Sequence, residues 1–365
     1  MGLGKRIFGT GPLPDPGDTR GRDTLLTVAA CLAFSGLLWL VENHASGYVV
    51  HMLTLSGLFV VLAVSYNLIN GVTGQLSLEP NAFVACGAYV TALLTISPME
   101  KEATFILEPL IWPLSVISIP LLPALLIAGL CTAFMAFVMG FPVFRVRGDY
   151  LAIVTLGFGE IVRIILNNWM TLTNGPNGLL GIKAPSLLVP SFEGGFSFEL
   201  LYLKKLHYLY YIALALAIVT TISVRNLNYS RIGRAWESIR EDETAAELMG
   251  VNTFLLKLLA YAMGALFAGL AGAFFCARMR FVSPESFTFI ESAMVLSMVV
   301  LGGMGSIPGI MLGAAALIVL PEVFREFETY RMLVFGMAMV VMMLFRPAGL
   351  IPAKRMGTRS DDREG

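Results

Sequence analysis

Residues 255–279 read Leu-Leu-Lys-Leu-Leu-Ala-Tyr-Ala-Met-Gly-Ala-Leu-Phe-Ala-Gly-Leu-Ala-Gly-Ala-Phe-Phe-Cys-Ala-Arg-Met. Between Lys257 and Arg278 no charged residue occurs. About 20 mostly apolar residues are what a helix needs to cross a bilayer. The run also carries small residues four apart: Gly264, Ala268 and Gly272, with Ala265, Gly269 and Ala273 alongside. Such rows let helix backbones approach closely in lipid. They suit packing within one chain, and equally a sliding surface or a subunit interface. A third row, Gly305, Gly309 and Gly313, encloses Pro308, which predicts a bend.

The same pattern extends along the chain. Of 365 residues, 56% are hydrophobic and 14% charged, and the mean hydropathy is +0.76. Soluble domains carry about 45–50% apolar and about 25% charged residues. The expected fold is therefore an all-α integral membrane protein, a polytopic helix bundle. Ten spans are read at 24–41, 48–69, 82–97, 112–140, 150–167, 207–224, 255–279, 288–303, 306–321 and 331–346. The eighth and ninth are separated by a turn at Met304-Gly305, which is also compatible with a re-entrant pair. The run 24–41 exceeds the ~7–15 residues of a signal-peptide core, so it reads as an uncleaved first helix despite a faint cleavage-like Ala45-Ser46-Gly47.

Lys and Arg set orientation. With 1–23 as a polar cytoplasmic N-terminus and 347–365 as a cytoplasmic tail, sixteen fall on the cytoplasmic side, eight outside, and Arg163 within a span. This bias predicts N-in/C-in topology for the transmembrane domain 24–346, with 70–81 cytoplasmic, 168–206 an external loop and 225–254 a long cytoplasmic loop. Zero net charge gives no basic field for nucleic acid. Cys31, Cys86, Cys131 and Cys276 are scattered, and His44, His51 and His207 lie at block edges. Neither a disulfide framework nor a metal or cofactor site is expected.

The cytoplasmic loop is unlike a connector. Helix formers dominate from Ala235 to Met249, with apolar positions at Trp236, Ile239, Ala246 and Met249 between charges. Gly250 reads as a helix C-cap and Asn252 or Thr253 as the next N-cap. One or two short amphipathic helices are expected. Their apolar face either docks a soluble partner or rests on the membrane or on the protein's own helices.

Thr244-Ala-Ala-Glu-Leu-Met-Gly250 resembles the coupling loop of ABC importer permeases, Glu-Ala-Ala, three residues, then Gly, with Thr244 in the glutamate's place. Further blocks resemble one branch of that group, the branched-chain amino acid permeases of the hydrophobic amino acid uptake type. They are Gly74-Gln-Leu-Ser-Leu78, Tyr150-Leu-Ala-Ile-Val-Thr-Leu-Gly-Phe-Gly-Glu160, Gly175-Pro-Asn-Gly178, Ile232-Gly-Arg-Ala235, Ile239-Arg-Glu-Asp242, Phe281-Val-Ser-Pro-Glu-Ser-Phe287 and Val300-Leu-Gly-Gly-Met-Gly-Ser306. They look most like the larger of two permease partners. Glu79-Pro80 departs from the pattern, which usually has Gly-His there. The resemblance implies a machine in the inner (cytoplasmic) membrane: two permease chains, two cytoplasmic ATPases and an external solute-binding protein. It implies coupling to the ATPase through Arg234, Ala235, Glu237, Ala245, Ala246 and Gly250. The second permease is expected to be a paralogue.

No Gly-x4-Gly-Lys-Ser/Thr occurs, so ATP hydrolysis is expected on another chain and this chain is not itself expected to be an enzyme. Glu160 and Arg163, three apart in a span, share a helix face. Intramembrane charges pair with one another or mark a pathway, so these two either lock the bundle or line the path of a zwitterion. Gln75, Glu291, Asn67 and Asn70 are further polar candidates for that path, or else capping and interhelical hydrogen-bond residues. Urea or a short amide is the alternative solute, and a secondary carrier the alternative class.

Overall fold

The computed structural model describes residues 47–105, 110, 113–146, 148–182, 186–191, 197–202 and 206–323, together with 336–337, 340, 344–346 and 349–351. The expected N-terminal segment 1–23, the first span 24–41, and most of the tenth span and of the C-terminal tail lie outside the described residues.

Helix α1 (Gly47–Asn67) runs into a π-turn, Leu68–Val72. There follow α2 (Pro80–Thr95), α3 (Pro98–Thr104), α4 (Leu121–Val143), α5 (Asp149–Asn168), α6 (Met170–Thr173), α7 (Leu206–Asn228), α8 (Arg231–Glu241), α9 (Glu243–Leu248), α10 (Thr253–Met279), α11 (Phe289–Gly302) and α12 (Ile307–Val323). Each of the eight expected spans that falls on described residues contains a helix. By length and composition six segments suffice to cross a membrane, or seven if α2 and α3, bent by 117°, form one broken span. The described residues thus establish a polytopic helical bundle with fewer full-length spans than the expected ten.

Three local departures have physical causes. The fourth span begins at Leu121 rather than 112, because Pro113 and Pro120 hold the preceding chain out of helix; Pro120 is extended at φ −61°, ψ 161°. Lys101 fastens that stretch, its ammonium donating to the carbonyls of Leu114 and Ile117 at 2.6 Å each. The loop expected to be external, 168–206, is not wholly irregular: β1 (Ser186–Ser191) pairs antiparallel with β2 (Ser197–Tyr202), Ser186 opposite Tyr202, an exception to the all-α expectation. Pro308 introduces no bend. It is the second residue of α12, where no intrahelical N–H is lost, and Gly305 lies outside the helix at φ +92°.

The core forms around α10, which packs on α1, α2 and α4. Its small residues make this possible. A Cβ on Gly87 of α2 would strike the backbone of Gly269, and one on Gly272 would strike the Val84 carbonyl. Gly264 faces the Ile69 side chain. Gly309 and Gly313 likewise abut Gly302 and Met298 of α11. These rows are used within the chain.

Candidate functional site: a buried polar break and an exposed elbow

The sequence Asn67-Leu-Ile-Asn-Gly-Val-Thr-Gly74 cannot continue α1 as a regular helix. Gly74 adopts φ +70°, and Thr73 Oγ1 turns back to donate to the Ile69 carbonyl at 2.6 Å. Residues 73–79 are then non-helical yet mostly buried. Non-helical backbone at membrane depth is tolerated only where protein surrounds it or it lines a cavity. Here side chains replace the missing helix partners. Asn70 Oδ1 accepts from the Ser77 N–H at 3.3 Å, and its Nδ2 donates to the Ser77 carbonyl at 3.4 Å. Thr155 Oγ1 of α5 accepts from the Leu78 N–H at 3.0 Å. Asn67 Oδ1 accepts from the Gly305 N–H at 2.8 Å.

The depth of this segment follows from α5. A Cβ on Gly159 would lie 3.3 Å from the Glu79 Cβ. Gly159 stands midway along the 20-residue α5, roughly 15 Å from its start at 1.5 Å per residue. The segment expected as a cytoplasmic loop at 70–81 therefore climbs back into the bundle before α2 begins. Asn81 Nδ2 donates to the Thr288 carbonyl at 3.2 Å, so α2 and α11 start beside one another. Among the described residues, Asn67 Nδ2, Gln75 Nε2, Ser77 Oγ and both carboxylate oxygens of Glu79 are buried without a hydrogen-bond partner.

Of the sequence candidates, Gln75, Asn67 and Asn70 meet at this break. Glu160 and Arg163 do not. They bond each other, Arg163 Nε donating to Glu160 Oε1 at 2.9 Å, and both are partly exposed. Glu291 is partly buried in the first turn of α11. Glu79 was not singled out as a site residue, because hydropathy places a charged loop residue in water. Its one signal was the departure at Glu79-Pro80. Among the described residues no three His, Cys, Asp or Glu side chains converge as metal ligands.

The loop expected to be cytoplasmic, 225–254, forms a helical elbow, α8 and α9. Ser230 caps α8, its Oγ accepting from the Gly233 N–H at 3.3 Å. Asp242 caps α9, accepting from the N–H groups of Thr244 and Ala245 at 2.9 and 3.0 Å. Asn252 caps α10, accepting from Leu255 N–H at 3.1 Å, and Gly250 ends the elbow at φ +86°. Trp236 is wholly buried and donates its indole N–H to the Leu256 carbonyl at 2.8 Å. Lys257 pairs with Glu243, and the Thr253 hydroxyl donates to Glu247 at 2.7 Å.

The apolar face of the elbow is spent inside the molecule. Trp236, Ile239 and Ala246 are buried against the chain's own helices, so of the two alternatives for that face the inward one holds. Met249 differs: with Leu248 it projects outward, 85% and 84% exposed. Arg234, Ala245 and Gly250 are exposed, Ala235 and Glu237 half-buried. At the other end, the Arg240 guanidinium donates to the Gly71 carbonyl, and its stem lies against Gly74. Elbow and break are joined directly.

The family model described as "Branched-chain amino acid transport system / permease component" matches residues 48–343. The permease protein LivM of the high-affinity branched-chain amino acid transport system of Escherichia coli K12 is 43% identical over 318 residues, 84% of this chain and 70% of that protein. LivH of Salmonella typhimurium LT2, a permease protein of such a system, is 25% identical over 307 residues, 82% of this chain and 92% of its own. A probable branched-chain amino acid transport permease protein LivM of Methanocaldococcus jannaschii is 25% identical over 255 residues, 63% of this chain and 69% of its own. No solved structure matches the chain. With the family model covering most of its length, and a polytopic bundle beneath it, the chain belongs to the branched-chain amino acid transport system permease components.

Proposed function

We propose that this chain is the larger of two permease subunits in an ATP-driven importer of branched-chain amino acids in the inner (cytoplasmic) membrane. Two cytoplasmic ATPases, a paralogous permease and an external solute-binding protein complete the machine. The relatives' names support this substrate class over urea or short amides. The two-to-one excess of Lys and Arg on one side supports N-in/C-in topology with ten spans.

The observation that carries the reading is the contact between Arg240 and Gly71. An elbow held by three caps and a buried tryptophan moves as a unit. Its exposed Leu248-Met249 tip, flanked by Arg234, Ala245 and Gly250, is the surface offered to an ATPase; Ala235, Glu237 and Ala246 stiffen it from behind. Displacement of that tip is delivered through Arg240 to a π-turn, where the helix is weakest. The break, with Gln75 at its centre, is the solute path. Glu160, Arg163 and Glu291 are proposed as flanking polar groups on the helices that border it.

The test is a cysteine at Met249 in the assembled transporter. A cross-link to an ATPase subunit, with uptake of leucine requiring both ATP and binding protein, is the expected result. Leucine flux by the chain alone, or a Met249 that never reaches an ATPase, would overturn the reading.

A further inference from the structure

We propose that Glu79 receives the primary ammonium group of the solute, at a site in the break where Ser77, Gln75 and Asn67 complete the recognition of a zwitterion. The inference rests on the importer reading above and deepens it. Glu79 is 1% exposed, and neither carboxylate oxygen has a partner among the described residues. It stands at the N-cap of α2, yet its side chain does not cap that helix. No salt bridge among the described residues reaches it.

A carboxylate sealed in protein without a cation or a donor is strongly unfavourable, and intramembrane acids persist where they serve a pathway. The chemistry left over along this segment is specific. Glu79 Oε1, Glu79 Oε2 and Ser77 Oγ are three unused acceptors, equal in number to the N–H donors of a primary ammonium. Gln75 Nε2 and Asn67 Nδ2 are unused donors, the complement a carboxylate requires. Gly159 lets α5 pack closely on the root of the Glu79 side chain, since a Cβ there would lie 3.3 Å from the Glu79 Cβ. Urea and short amides carry no ammonium, so a pathway built this way selects amino acids over them.

The complete transporter, reconstituted with its binding protein, supplies the test. Leucine uptake by the wild-type complex checks the importer reading itself. Against that reference, Glu79→Gln is expected to lower uptake at least tenfold, and Glu79→Asp to recover a substantial part of it. Uptake by Glu79→Gln above half of wild type, or equal loss in both variants, would overturn the proposal. A second measurement leaves the chain unaltered. Dicyclohexylcarbodiimide labelling of Glu79, read by peptide mass, is expected to be blocked by 3-methylbutylamine and not by 4-methylpentanoate. Equal protection by the two compounds, or by neither, would overturn it. Uptake that needs Na⁺ and collapses in choline buffer would assign the carboxylate to a metal cation and would also overturn it.

Discussion

The break at 67–80 and the elbow at 230–252 both carry Asn, Ser, Thr and acidic side chains, and both interrupt the apolar pattern. They differ in what their polar atoms find. In the elbow each cap closes on backbone N–H groups, and Glu243 and Glu247 meet Lys257 and Thr253. In the break the backbone is served by Asn70 and Thr155, while five side-chain atoms of Asn67, Gln75, Ser77 and Glu79 are left over. A satisfied polar segment is a structural part. In the break the desolvation of those five atoms is uncompensated by any described protein group, which is why the proposed solute site is set there.

Five variants break or sharpen that contrast. The largest effect is expected from Trp236→Ala, which empties a fully buried indole site and orphans the Leu256 contact; about 3–5 kcal/mol is the usual cost of such a truncation. Thermal unfolding of the detergent-solubilised complex reads it, and an unchanged midpoint would mean that the elbow is not anchored as described. Next is Arg240→Gln, which cuts the link between the two regions. Its expected signature is uncoupling: ATP hydrolysis continues while uptake falls on the order of tenfold, within the common range of site-to-site coupling. A parallel fall in both would make Arg240 a stability residue instead.

Smaller losses are expected from Ser230→Ala and Asp242→Ala, at about 1 kcal/mol each for a lost N-cap, measured by the same unfolding assay. No loss in either would show that the elbow's rigidity comes from tertiary packing alone. Smallest is the double change Glu160→Gln with Arg163→Gln. A partly exposed pair contributes roughly 0–1 kcal/mol, so uptake is expected to stay within about twofold of wild type at unchanged expression. A loss as deep as that of Glu79→Gln would move the solute path to the Glu160–Arg163 face of α5.

Hydropathy and motif reading were enough for the polytopic helical class, for a helix at each described span, and for an elbow with Gly250 and Asn252 at its joints. Those properties are sums over neighbouring residues: about 20 apolar side chains favour lipid wherever they occur, and a cap acts within one turn. Tertiary structure alone decided that Trp236 faces inward and Met249 outward, that residues 73–79 return to the middle of the bundle, and that Glu79 is sealed beside Gly159. Each of these depends on partners distant in the chain: Leu256 for Trp236, Thr155 for Leu78, Gly305 for Asn67. Local composition assigns a polar loop to water. Only contacts across the bundle reveal that other helices have taken water's place there.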